Sequence, residues 1–219
     1  MPRIIFIRPA ETDHCLRRAM LGRHDADLNE NGRIQARVLA EVLNQWPVSF
    51  LGVSPLKRAI ATALPIEDLQ DISIHPVAGF YGTDLGDWEN REITSILACD
   101  QGRYESWLAD PDFRAPGGES TREVYARAYP ELVNIVNHAH PGETIALVLQ
   151  EGVMQALCCA VMDLPLAAAS RFYLDHASFG IFERRAPGAS YRMVAWNRNE
   201  HISESGPTAL EWEEELPGV

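Results

Sequence analysis

Residues 145–149 form an unbroken apolar run inside TIALVLQ, and a helix-like segment, EGVMQALCCAVMDL, follows with no turn residues between them. A strand with one wet face alternates apolar and polar residues, so an unbroken run predicts a strand buried on both faces of a mostly parallel sheet. The remaining chain repeats the pattern. PRIIFIR is strand-like; from Asn29, a predicted N-cap, apolar residues recur at Ile34, Val38, Leu39, Val42, Leu43 and Trp46 with helical spacing until Pro47. VSFLGVS is a second strand candidate, followed by a helix that Ser54 is expected to cap with Pro55 in its first turn. DISIHPV is a third strand; residues 80–89 read as a loop; helices are expected near 92–108 and 120–138; FGIFERR and SYRMVAWN read as a closing hairpin. Strands alternating with helices predict an α/β three-layer sandwich with a mostly parallel central sheet. In such folds ligands bind beyond the carboxyl ends of the strands, where Arg8, Ser54 and Gln150 fall.

Composition narrows the classes of partner. The chain has 219 residues and a net charge of -12, which argues against nucleic acid and anionic membrane as partners. No apolar run approaches the length of a bilayer span, and no targeting segment is legible at the N-terminus, so a cytoplasmic location is expected. Cys15, Cys99, Cys158 and Cys159 form no C-x-x-C pair, and the histidines have no ligand spacing, so neither a disulfide framework, a metal nor any other cofactor is expected. After Arg198 the chain carries only acidic charges. The expected organisation is one domain over residues 1–202 and an acidic tail over 203–219, with Trp212 an anchor that folds the tail back.

The strand ends also carry a pattern. FIRPAETD with LGRHDADLNENGRIQA, then SPLKRAIATA, LGDWEN, PGGES, TIALVLQEGV, and LDHASFGIFE through NRNEHI together resemble the histidine phosphatase superfamily over residues 3–202. That superfamily includes the cofactor-dependent phosphoglycerate mutases and α-ribazole-phosphatase-like enzymes, so the resemblance implies a phosphoglycerate mutase-like fold. It also implies a mechanism in which the histidine of an Arg-His-Gly-Glu-Thr motif takes the phosphoryl group. Here that motif reads Arg8, Pro9, Ala10, Glu11, Thr12. An amide nitrogen in a proline ring has no lone pair for attack. The family's second histidine corresponds to Gln150, which donates a neutral hydrogen bond but supplies neither charge nor a proton. Its acid corresponds to Gly82, with Asp84 the nearest substitute, while Cys15 and Ala19 stand at two further pocket positions.

What the resemblance retains is Arg8 and Arg58, the phosphate clamp, with Glu11, Thr12, Gly22, Glu119 and Ser120. The expected ligand-binding set is therefore Arg8, Arg58, Gln150, Thr12 and Gly22, with Glu151 at a helix start placed to neutralise the arginines. His14 and Cys15 are poor relocated nucleophiles because they lie five or six residues past the strand end, and His176 and His201 are assigned to structural segments. The leading expectation is a pseudophosphatase that has lost phosphohistidine catalysis and holds a small anion or a protein partner in the old pocket. The alternative is a repurposed isomerase, lyase or hydrolase in which Arg8 and Arg58 orient an anion and Glu11 or Glu151 moves the proton, or a residual phosphatase.

Overall fold

A computed structural model describes residues 2–184 and 189–202; the expected tail, Trp212 included, lies outside the described residues. The chain runs through β1 (Arg3–Ile7), a short α1 (Asp13–Leu16), β2 (Ala19–Met20), α2 (Glu30–Leu43), β3 (Val48–Val53), α3 (Lys57–Gln70) and β4 (Ile74–Pro76). It continues through β5 (Arg91–Glu92), α4 (Ile93–Ala109), α5 (Thr121–His138), β6 (Thr144–Val148), α6 (Glu151–Val161), β7 (Phe179–Glu183) and β8 (Arg192–Arg198). Six strands make one sheet in the order β4-β3-β6-β1-β7-β8; the first four are parallel, and β7 and β8 close it antiparallel. The α/β fold with a mostly parallel central sheet is thus the one the apolar run at 145–149 predicts.

The layers follow from the two-residue period of a strand. On β1, Ile5 and Ile7 join Leu51, Val53, Ala146 and Val148 in a core beneath α2 and α3, while Ile4 and Phe6 join Ile145 and Leu147 beneath α5 and α6. All five residues of β6 are buried, as a strand covered on both faces requires. Register then builds the site. Ile7 and Val53 both pair with Val148, so β1, β3 and β6 end level and release Arg8, Ser54 and Leu149–Gln150 on one rim.

Local predictions and structure differ in instructive places. Asn29 caps α2 as expected, accepting from the Gly32 N–H at 2.7 Å. Ser54 does not cap α3: it is fully buried with an unpartnered hydroxyl, the helix begins at Lys57, and the Lys57 N–H is taken instead by Asp25 Oδ1 at 2.8 Å. A carboxylate from a loop 32 residues away outcompetes the local hydroxyl. α4 is broken by non-helical Asp100, and residues 80–89 hold a 3-10 turn at Gly86–Trp88 that seats Trp88 with no exposed surface. The small β2–β5 ladder is illegible in sequence because two residues carry no periodicity.

Candidate functional site

The level ends of β1, β3 and β6 form the floor of a cavity of about 520 Å3. Arg8, Pro9, Arg58, Gln150, Glu151, Cys15 and His176 line that floor, and residues from α1, β2 and α4 line its wall. The N-terminus of α6 also opens here, through Gln150, Glu151 and Gly152. Unpaired N–H groups and the positive end of a helix dipole at that point favour an anion.

Arg58 is 4% exposed and has no carboxylate partner among its hydrogen bonds. Its Nε donates to Gln150 Oε1 at 2.8 Å, Nη1 to the His24 carbonyl at 2.6 Å, and Nη2 to the Gly22 carbonyl at 2.9 Å. These neutral acceptors take three of its five N–H groups and cancel none of its charge. Burial, with a smaller push from Arg8, therefore draws its pKa down to about 10, against the counter-pull of Cys15, Asp25 and Glu89. Gln150 is orientated by this contact, since its oxygen must face the Arg58 Nε–H. Its Nε2 is left buried with no partner. A buried donor without an acceptor costs about 1–3 kcal/mol, so the floor carries both an uncancelled cation and an unused N–H.

Arg8 is paired differently. Its Nη2 meets Glu151 Oε2 at 3.1 Å and its Nη1 donates to the Leu174 carbonyl, with the guanidinium 5.5 Å from the Tyr173 ring centre. Burial works against its charge, but Glu151 and the other acidic neighbours outweigh it and hold the pKa above the ordinary arginine range. The expected neutralisation by Glu151 thus applies to Arg8 alone. Glu151 keeps 39% of its side chain exposed, so this pair is not sealed.

His176, assigned from sequence to a structural segment, stands instead in the cavity. Its Nδ1 lies 3.3 Å from the Pro9 carbonyl and must carry the proton there, because a carbonyl only accepts. Burial, then Arg8, and finally Arg58 drive its pKa well below the usual histidine value, so the ring is neutral at pH 7. Cys15 Sγ lies 3.9 Å from the same ring nitrogen and 3.2 Å from Thr12 Oγ1. No sequence signal could have found His176: 167 residues separate it from Pro9, and only the β1–β7 pairing brings them together.

The other expected residues divide between cavity and support. Glu11 and Gly22 line the cavity, but Glu11 Oε1 is occupied by Asn29 Nδ2 at 2.8 Å and Asn31 Nδ2 at 3.3 Å. Thr12, expected to bind ligand, has no exposed surface and sits behind Cys15. Gly82 is packed against the Gly22 carbonyl so closely that a Cβ there would overlap it. Since Arg58 holds that same carbonyl, a side chain at 82 would have to displace the Arg58 clamp. Asp84 bonds Arg23 Nη1 at 3.1 Å and the Gly86 N–H at 3.0 Å, outside the cavity lining. Glu119 accepts from Arg23, Arg127 and the Asp84 N–H; burial raises its pKa, and those contacts together overcome it and hold the pKa below the usual carboxylate range. This network braces the loop from behind. Among the described residues no cluster of His, Cys, Asp or Glu could hold a metal ion, and no helix is long and apolar enough to cross a membrane.

The comparisons with known proteins agree with this architecture. The family model described as histidine phosphatase superfamily, branch 1, matches residues 4–199. A glucosyl-3-phosphoglycerate phosphatase of Mycobacterium tuberculosis is 29% identical over 203 residues, covering 89% of this chain and 91% of that protein. Phosphoserine phosphatase 1 of Hydrogenobacter thermophilus is 29% identical over 84% of this chain and 89% of its own length. The solved structure of a mycobacterial glucosyl-3-phosphoglycerate phosphatase in complex with inorganic phosphate superposes with a TM-score of 0.81 at 28% identity, covering 90% of this chain and 97% of that one.

Proposed function

Since the chain belongs to the histidine phosphatase superfamily, and proline stands where the first strand delivers its side chain to the floor, we propose that this protein binds a small phosphate-bearing or similar anionic molecule at Arg8 and Arg58 without forming a phosphohistidine at position 9. The observation that carries this reading is Arg58: a buried guanidinium with no carboxylate partner, bonded to an amide whose own N–H is unused. An anion on that floor would accept from Gln150, offset the uncancelled charge and meet the N-terminus of α6. The mycobacterial relative solved with inorganic phosphate gives the same inference a precedent in the family. Two of the parts that would move a phosphoryl group are replaced by groups unfit for it: Pro9 offers no nucleophilic atom, and Gly82 offers no acid and no room for one. The protein is therefore a pseudophosphatase in its phosphohistidine chemistry.

The test is direct. Inorganic phosphate should raise the melting temperature in a concentration-dependent way, while aryl phosphates, phosphoglycerates and phosphopeptides release phosphate only at background rates. Turnover above about 1 per second, lost in Arg58→Lys, would overturn the reading.

A second reading has its own support in Glu151, whose carboxylate stands over an open cavity beside Arg8. An anion orientated by Arg8 and Arg58 could there exchange a proton with Glu151 or Glu11, as in an isomerase or lyase. Solvent deuterium entering a carbon-bound position of an anionic substrate, and no longer entering in Glu151→Gln, would distinguish it from simple binding.

A further inference from the structure

The floor accounts for only part of the cavity. At about 520 Å3 it lies within the range of pockets that take organic small molecules, about 300–1,000 Å3, and exceeds what an inorganic anion fills. One side of the cavity is apolar: Leu16, Met20, Leu85, Ile93, Trp107 and Leu108 line it, while Glu11, Asn31, Gln35 and Asn199 lie elsewhere in the lining. Leu16 is 53% exposed and Leu108 39%, so this apolar surface is open to water.

The aromatic part of the wall is built with an unused donor. After its break at Asp100, α4 turns Tyr104 and Trp107 towards the cavity, their ring centres 6.1 Å apart, and Trp88 backs Trp107 edge-on at 6.0 Å. Trp88 spends its indole N–H on Asp100 at 3.1 Å, but the Trp107 Nε1 is buried with no partner. Between wall and floor, Thr83 lines the cavity at 7% exposure with an unpartnered hydroxyl, and Gln150 at 8% exposure has its unpartnered Nε2. Buried polar groups are nearly always paired, so three orphans around one cavity point to a missing partner with acceptors at those places.

We infer that the ligand is an anion joined to an apolar, preferably aromatic, body: the charged head sits on Arg58 and Gln150, and the body lies against Trp107, Leu16 and Leu108. Laid against Trp107, Leu16 and Leu108, a polyol or sugar body is the wrong chemistry, because those side chains offer it a single N–H and otherwise strip water from its hydroxyl groups without replacing their hydrogen bonds. The inference rests on the anion-binding reading above and adds the nature of what carries the anion.

The experiment uses ligands that cannot be hydrolysed, so binding is read independently of turnover. Titration calorimetry of the full chain with phenylphosphonate, methylphosphonate, inorganic phosphate and 3,4-dihydroxybutylphosphonate, the phosphonate counterpart of glycerol 3-phosphate, should rank phenylphosphonate at least about tenfold tighter than the other three, about 1.4 kcal/mol. Paired replacement Leu16→Asn with Leu108→Asn, at exposed positions that the fold tolerates, should reduce that preference to about threefold or less and leave inorganic phosphate unchanged. Phosphate binding with no preference for phenylphosphonate would overturn this inference and leave the anion site standing. A preference untouched by the paired replacement would also overturn it, by placing the body elsewhere. Failure of all four ligands would overturn the anion-binding reading itself.

Discussion

Gln150→Glu tests the floor with the smallest possible change in shape. The replacement keeps the oxygen that accepts from Arg58 Nε at 2.8 Å and exchanges the unpartnered Nε2 for a second carboxylate oxygen. Two opposing effects on stability follow. A hydrogen bond to a charged acceptor contributes about 1 kcal/mol more than one to a neutral acceptor, and the orphaned donor disappears. Against that, a carboxylate must be desolvated, at an effective cost of several kcal/mol before pairing. The net change in stability should be small, within about 2 kcal/mol of zero. Anion affinity should not be small. With a bound anion roughly 5 Å from the new carboxylate and an effective dielectric constant of about 20, repulsion is about 3 kcal/mol per unit charge, a loss of roughly two orders of magnitude in affinity. Calorimetric titration with inorganic phosphate at pH 7, beside a thermal melt of the same variant, separates the two effects. A folded Gln150→Glu protein whose phosphate affinity stays within about threefold of the parent would refute the placement of the anion at Arg58.

Three further outcomes follow from the same geometry. Pro9→His should leave turnover of alkyl phosphates at background, because Gly82 still supplies no general acid to protonate the leaving alkoxide and a missing acid alone costs about 10²–10⁴-fold; fast turnover of an alkyl phosphate by this variant would show that Gly82 is no obstacle. His176 has a folded pKa well below its unfolded value of about 6.5, so its contribution is intact above pH 6.5 and is lost as pH falls below it, with a slope near 1.4 kcal/mol per pH unit down to the folded pKa. Urea melts of His176→Asn across pH 5–7.5 should flatten that slope. Glu119 works in a more acidic window: its depressed pKa gives stability present above the unfolded value near 4.3 and lost as pH falls through the folded one. Glu119→Gln should therefore be less stable than the parent at pH 7, and the difference should shrink below about pH 4.

Much of this protein is readable in one dimension because its causes are local. The apolar runs at 145–149 and in β1 and the capped helix at Asn29 are each set by a residue and its near neighbours, and they suffice for the α/β class, the buried parallel strands and the strand ends where Arg8 and Gln150 emerge. The chemistry that position 9 cannot perform is equally local, since a proline ring lacks a nucleophilic atom wherever it is placed. Tertiary structure decided everything that depends on partners distant along the chain. Asp25 took the cap expected of Ser54, strand pairing carried His176 to the Pro9 carbonyl, and the approach of the Gly22 carbonyl left no room for a side chain at Gly82. Whether the two arginines would be neutralised alike was also decided in three dimensions: Glu151 reaches Arg8, while Arg58 is met by two carbonyls and an amide. Spacing can say which groups share a rim, but the charge left on that rim depends on distances of about 3 Å, which pattern does not encode.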